Sequence, residues 1–285
     1  MFIKRYLNIL FVLFTFQAST NILAQQDDLS KMTLDQISRK LENPLSSLWS
    51  LTFQENYIIS TGTLVNGSVT SNNFFFQPFL PFPVGNMKML VIRPVFPLVT
   101  QPVINPSTGE VTNHTTGLGD IQLFTAFGPD KKVGNIWGVG ATFVFPTATD
   151  DILGQGKLQA GPAAMYFILG KIWTFGTLAQ HWWSIAGDDN RQDVNKTDIQ
   201  YIARRQIPGG WSIGMGPTIS INWEAEEGNR VTFPIGLGIT KTIRLGGTPI
   251  KMRIEPQYSI IKPDDYGTEW NIRFQFTPVI NRPFD

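Results

Sequence analysis

A chain of 285 residues without a single cysteine has no disulfide framework, thiolate metal site or cysteine nucleophile. Its formal net charge of +1 gives no electrostatic reason to bind nucleic acid. Charged residues make up 16% of the chain and aromatics 12%, against about 25% charged in an average soluble protein, and a mean hydropathy of −0.03 is far too low for a bundle of membrane helices.

The first 24 residues read as a secretory signal peptide. Lys4 and Arg5 give a basic start, "YLNILFVLFTF" is the apolar centre, and Ala24 precedes the cut before Gln25. The apolar run is shorter than the ~20 residues of a spanning helix. No cysteine follows to carry a lipid, and loss of Lys4 and Arg5 takes the charge from +1 to −1. Residues 25–43 read as a leader on the periplasmic side that carries a short amphipathic helix. In "DDLSKMTLDQISRKLENP", Met32, Leu34, Ile37 and Leu41 fall at roughly helical spacing, and Pro44 stops the run. A plug inside a lumen is the alternative role for the same helix.

From Pro44 onward the pattern has period two. Twelve candidate strands follow, over roughly 47–57, 72–80, 87–96, 118–127, 136–145, 158–168, 172–185, 197–206, 211–222, 230–241, 249–260 and 268–277. Their lengths suit a tilted membrane crossing of ~9–11 residues. The alternation is cleanest in "TPIKMRIEPQYSII". Ile250, Met252, Ile254, Tyr258 and Ile260 share one face, and Lys251, Arg253, Glu255, Gln257 and Ser259 share the other.

Short and long connections alternate. "PVGN", "PDKKVGN", "GK", "PGG" and "LGG" separate longer segments such as "PLVTQPVINPSTGEVTNHTTG" and "AGDDNRQDVNK". A transmembrane barrel has short periplasmic turns and longer outer loops. Tryptophans segregate in the same way. Trp49, Trp137, Trp173 and Trp211 begin odd-numbered strands, while Trp182, Trp183, Trp223 and Trp270 lie at the opposite ends. Indole favours the membrane interface, being part apolar and part hydrogen-bond donor. Trp49, Trp137, Trp173, Trp183, Trp211, Trp223 and Trp270 are therefore the candidate interface aromatics. Residues 44–285 are predicted to be all-β: a transmembrane, antiparallel, up-and-down barrel of about twelve strands. It must close, because an open edge in hydrocarbon leaves backbone groups unpaired at several kcal/mol each.

Several stretches carry a family resemblance: "NPLSSLWSLTFQENY", "GLGDIQLFTAFGP", "WGVGATFVFPTATD", "GPAAMYFILGKIWTFGTLAQHWWSIAG" and "GWSIGMGPTISINW". In order and spacing the chain from about Asn43 onward resembles the bacterial outer-membrane barrels grouped with the meta-pathway of phenol degradation, whose members often carry the label "neuromedin U" or "transporter". The resemblance implies an outer-membrane barrel that passes small molecules, and it implies no catalytic residues. One departure stands out. Such barrels commonly end on an aromatic residue, whereas this chain ends "TPVINRPFD", with Phe284 penultimate and Asp285 last; Phe276 is the candidate closing aromatic.

Parity nominates Arg93, Asp120, Gln159, Arg204, Arg230, Lys251, Arg253, Glu255, Gln257 and Arg273 as lumen-lining residues that would set selectivity. Basic residues outnumber acidic ones, which favours anions or polar aromatics. The alternative is a non-conducting structural or binding barrel filled by these charges or by the helix. A lipid hydrolase, the third class, would need a serine within reach of a histidine. Ser184 lies three residues from His181, on the opposite strand face, and His114 falls in a long loop. Asp150, Asp151, Asp188 and Asp189 read as solvated loop carboxylates rather than calcium ligands. The expected partners are outer-membrane lipid and a small solute, with no enzyme activity, cofactor or metal and a monomeric state.

Overall fold

The computed structural model describes residues 29–85, 87–131 and 133–280. The signal peptide proposed for residues 1–24 and the terminal Phe284 and Asp285 lie outside the described residues. A 3-10 turn (Leu29–Lys31) and one helix, α1 (Leu34–Glu42), precede the strands. These are β1 (Trp49–Thr61), β2 (Val69–Pro83), β3 (Lys88–Ile104), β4 (Val111–Leu118), β5 (Ile121–Pro129), β6 (Gly134–Phe145), β7 (Lys157–Leu169), β8 (Trp173–Gly187), β9 (Asn195–Ile207), β10 (Trp211–Met215), β11 (Thr218–Asn222), β12 (Val231–Gly236), β13 (Gly238–Leu245), β14 (Thr248–Ile261) and β15 (Gly267–Ile280).

Three pairs of short strands are broken halves of single staves. β4 and β5 both pair with β3, β10 and β11 with β9, and β12 and β13 with β14. The result is a closed antiparallel barrel of 12 staves. Its seam joins β1 to β15, with Phe53 opposite Phe276 and Asn56 opposite Arg273. The break between β10 and β11 falls at Gly216 and Pro217, where proline has no amide to donate to a ladder. The neighbouring stave breaks at Leu237. The ladder between these two staves therefore runs from Trp211–Lys241 to Gly214–Gly238 and resumes at Ser220–Thr232.

Period-two alternation produces an inverted core. On β14, Arg253 is 1% and Glu255 0% exposed, while Ile254 is 47% and Ile260 52% exposed. The opposite faces of β6, β8 and β15 behave alike: Val139, Phe175 and Phe274 lie outside. Trp137, Trp173 and Trp211 are exposed at the short-turn end of the wall, and Trp183, Trp223 and Trp270 at the long-loop end. Trp49 departs from the expectation. It is buried, its Nε1–H donates to the Pro81 carbonyl at 2.9 Å, and its ring meets Phe82 edge-on. Trp182 is also buried, pointing inward to donate to Thr142 Oγ1 at 3.0 Å.

Strand ends agree with the sequence reading to within about four residues, with one exception. The segment "PLVTQPVINPSTGEVTNHTTG" was expected as an outer loop but forms a hairpin. β3 and β4 pair from Leu98–Leu118 to Ile104–Val111 around a turn at 105–110. Its alternation is of threonine, valine, glutamine and asparagine, residues that suit a ladder standing in water and give no apolar signal. His114 thus lies on an exposed strand opposite Pro102, not in an irregular loop.

The described part of the N-terminal segment, from Leu29 to Asn43, packs against the barrel. Arg244, beside the β13–β14 turn, donates to the carbonyls of Leu29 and Met32. Asn43 donates to the Lys131 carbonyl in the β5–β6 turn at 2.9 Å. Those two turns lie on opposite sides of the ring of staves, so the segment crosses the short-turn mouth. Ile37, Leu48 and Val279 form one apolar contact beneath it, and Leu45 inserts among Met89, Val91, Ile136 and Leu169.

Candidate functional site

Above this segment the barrel holds a partly open cavity of about 350 Å³. Its lining is mixed, with apolar and polar residues following one another along the same strands. Phe75, Phe79, Val95, Phe167, Leu178 and Ile202 supply apolar surface. Several of these continue into the inward-facing apolar cluster of β3, β5, β6, β7 and β8. Gln54, Gln77, Gln122, Gln180, Gln200 and Gln275 supply neutral polar surface, and Arg93, Arg204, Lys251, Arg253 and Arg273 supply five cations. The carboxylates among the lining are Glu42 and Asp198.

Each cation has a different setting. Arg204 and Lys251 share the carboxylate of Glu42, in the last turn of α1. Arg204 Nη1 donates to Oε2 at 2.5 Å, and Lys251 Nζ donates to Oε1 at 2.7 Å. Burial pushes the Glu42 carboxyl upward; the charges of Arg204 and Lys251 and their hydrogen bonds outweigh this and hold it well below the usual carboxylate range. Arg253 Nε donates to Glu255 Oε2 at 2.8 Å, Nη1 to Thr240 Oγ1 and Nη2 to the Gly214 carbonyl. Arg273 Nη1 donates to the Gly216 carbonyl at 2.9 Å. Arg93 lies over the Phe124 ring at 5.0 Å, and its buried Nε has no hydrogen-bond partner.

Of the ten residues nominated by parity, Arg93, Arg204, Lys251, Arg253 and Arg273 come together around this cavity. Glu255 and Gln257 are buried beside it, Glu255 behind Arg253 and Gln257 accepting from Asn271. Three others lie elsewhere. Asp120 sits in the gap between β4 and β5 and accepts from the amides of Thr147, Ala148 and Gln155, clamping the 146–156 loop. Gln159 bonds to Gln155 in the same region at 2.6 Å. Arg230 is exposed and donates to the Ala225 carbonyl in its own loop. Parity gives a face, but these residues lie at or beyond the long-loop end of the wall.

Sequence reading missed Glu42 and the glutamine lining. Gln54 and Asn56 fall on the inward face of their strand by the same period-two rule; Gln54 accepts from Gln275 at 2.7 Å and donates to Asn56 at 3.1 Å. Glu42 carried no strand signal. His181 Nδ1 is 2.7 Å from Thr197 Oγ1, and the Ser184 hydroxyl donates to Asp193 at 3.0 Å, so the two are engaged separately. The Asp193 carboxyl is held below its ordinary range by hydrogen bonds from Lys157 and Ser184 and by the Lys157 charge.

No protein-family model matches the chain, and no curated protein matches its sequence. Solved structures do match its fold. The COG4313 outer membrane channel from Pseudomonas putida F1 superposes with a TM-score of 0.64 over 82% of this chain and 96% of that one, at 14% identity. The NanC porin superposes with a TM-score of 0.50 over 81% of this chain and 100% of that one, at 10% identity. At these identities the likeness is one of fold: this chain has the closed antiparallel barrel found in outer-membrane channels and porins.

Proposed function

We propose that this chain is a monomeric outer-membrane channel that passes small anionic or polar aromatic molecules through a restricted lumen. The observation that carries this reading is the inversion of the barrel: charge is sequestered inside while an apolar face with tryptophans near both ends points out. Lipid contact demands such a surface, and water does not. The fold shared with a channel and a porin supports it. In this orientation the short turns and α1 face the periplasm. Five cations against two lining carboxylates favour anions, and the phenylalanines of the same lining favour a ring or short chain. The sequence resemblance to barrels grouped with phenol degradation points the same way. With α1 across one mouth, the route is a selective one rather than a wide diffusion pore.

Single-channel recording of refolded mature protein in a planar bilayer tests this. The expected result is small discrete steps with anion preference. Arg93→Gln with Arg273→Gln should weaken that preference, and deletion of residues 25–43 should raise the conductance. Silence from protein whose folding is established by a heat-dependent gel shift, with silence also from the deletion variant, would overturn the channel reading in favour of a structural or binding barrel.

A further inference from the structure

We infer that Arg204 and Lys251 form a carboxylate-binding site for the solute, and that Glu42 occupies this site in the resting protein as a built-in competitor. The inference rests on the channel reading above. It adds a ligand class and a means by which the ligand acts on the mouth.

The geometry is that of a bound ligand. One cation from β9 and one from β14 each take one oxygen of a single carboxylate, at 2.5 and 2.7 Å. The Glu42 side chain is 2% exposed. Arg204 and Lys251 belong to the wall, whereas Glu42 belongs to the segment laid across the mouth. All three side chains line the cavity, so a molecule held there reaches the same two cations. Phe79, Phe167, Leu178 and Ile202 lie around the same space and provide apolar contact for the remainder of the molecule. A volume of about 350 Å³ is at the lower end of small-molecule sites, which fits a carboxylate on one ring or a short chain.

Charge burial makes the exchange selective. Withdrawing Glu42 alone would strand two buried cations without a carboxylate, an outcome the low-dielectric interior penalises heavily. A solute carboxylate that takes its place restores the balance. A neutral molecule of the same shape cannot do so. Anion binding and release of the Glu42 end are therefore linked, and by reciprocity anything that removes Glu42 tightens anion binding.

Calorimetry of the folded full mature chain in detergent tests the site without requiring conductance. Glu42→Gln should bind benzoate at least ten-fold more tightly than the natural chain. Adding Arg204→Gln or Lys251→Gln should abolish that gain, and benzamide should bind neither protein. A second measurement leaves the Glu42 contact intact. With a fluorophore on Arg39→Cys, benzoate but not benzamide should increase access of a soluble quencher to the helix. Equal benzoate affinity with and without Glu42, or equal responses to benzoate and benzamide, would overturn the proposal. Anion-specific binding by a protein that never conducts would leave this site standing and refute the channel. Conduction with unchanged affinity in Glu42→Gln would do the reverse.

Discussion

Arg253 and Glu255 have a structural task that their position on an inward face does not reveal. The two interrupted staves leave backbone groups without ladder partners. Arg253 donates to the Gly214 carbonyl, Glu255 accepts from the Gly216 amide at 2.7 Å, and Arg273 donates to the Gly216 carbonyl. The pair thus staples the wall where β10 gives way to β11. Gly214 permits this. Its φ is +152°, and a Cβ there would lie 2.1 Å from the Ala203 carbonyl oxygen. Removing one member of a buried, hydrogen-bonded ion pair typically costs about 3–5 kcal/mol, because the other is left charged and alone. Arg253→Met should therefore lower barrel stability by about 3–5 kcal/mol, read by urea unfolding in micelles, and Gly214→Ala should impair folding outright. A loss below about 1 kcal/mol for Arg253→Met would mean that the staple carries little. Period-two reading placed both residues inside, since parity on 250–260 is unbroken. It could not show that they satisfy each other and the chain at 214–216, because alternation gives a face and neither a height nor a partner across the barrel.

At the scale of elements, α1 is a short helix held by its setting. Nine residues form a marginal helix on their own. Thr33 and Gln36 close its first turn reciprocally, Gln36 N–H donating to Thr33 Oγ1 at 3.2 Å and Thr33 N–H to Gln36 Oε1 at 2.7 Å. At the other end, the cations gathered on Glu42 suit a helix C-terminus. The apolar spacing of Met32, Ile37 and Leu41 made the helix legible, but its berth was not, since Arg204, Gln206, Lys251 and Val279, which receive it, are distant in sequence. The low pKa of Glu42 sets the pH response of docking. A carboxyl that titrates lower in the folded state contributes fully above its ordinary value of 4.5, and that contribution is lost as pH falls through the folded value. Docking should be flat from about pH 5 to 8 as far as Glu42 is concerned and should weaken only on further acidification. Quencher access to a fluorophore on Arg39→Cys, followed against pH, measures this; release on acidifying through about pH 6 would show that another group controls the helix.

For the molecule as a whole, the staves depend on closure while one extension does not. Twelve staves were legible because the late crossings alternate cleanly and each short turn marks an end. The three interruptions were not: Pro217 and Leu237 break pairing without breaking parity, and the break at Gly119, which shifts the register against β3 by one residue from Leu98–Leu118 to Val95–Gln122, adjoins a polar hairpin that gives no apolar signal. The seam between β1 and β15 joins the first stave to the last, from Trp49–Ile280 to Thr61–Gly267. Deleting residues 267–280 would expose the edges of both β1 and β14, and unpaired backbone in hydrocarbon costs several kcal/mol per group. That variant should show neither a heat-dependent gel shift nor a protease-resistant barrel. The β3–β4 hairpin provides the contrast. β2 pairs with β3 only as far as Thr100, so beyond that residue the hairpin's ladder is its own, and Asn66 N–H donating to the Gly109 carbonyl and Gln101 donating to Asn73 tie it to the neighbouring stave. Replacing 101–115 by a tight turn should therefore leave the gel shift and the resistant core intact. If both variants fold, closure at the seam is dispensable and a flanking surface must cover the edges. If both fail, the hairpin is needed for assembly as well as the seam.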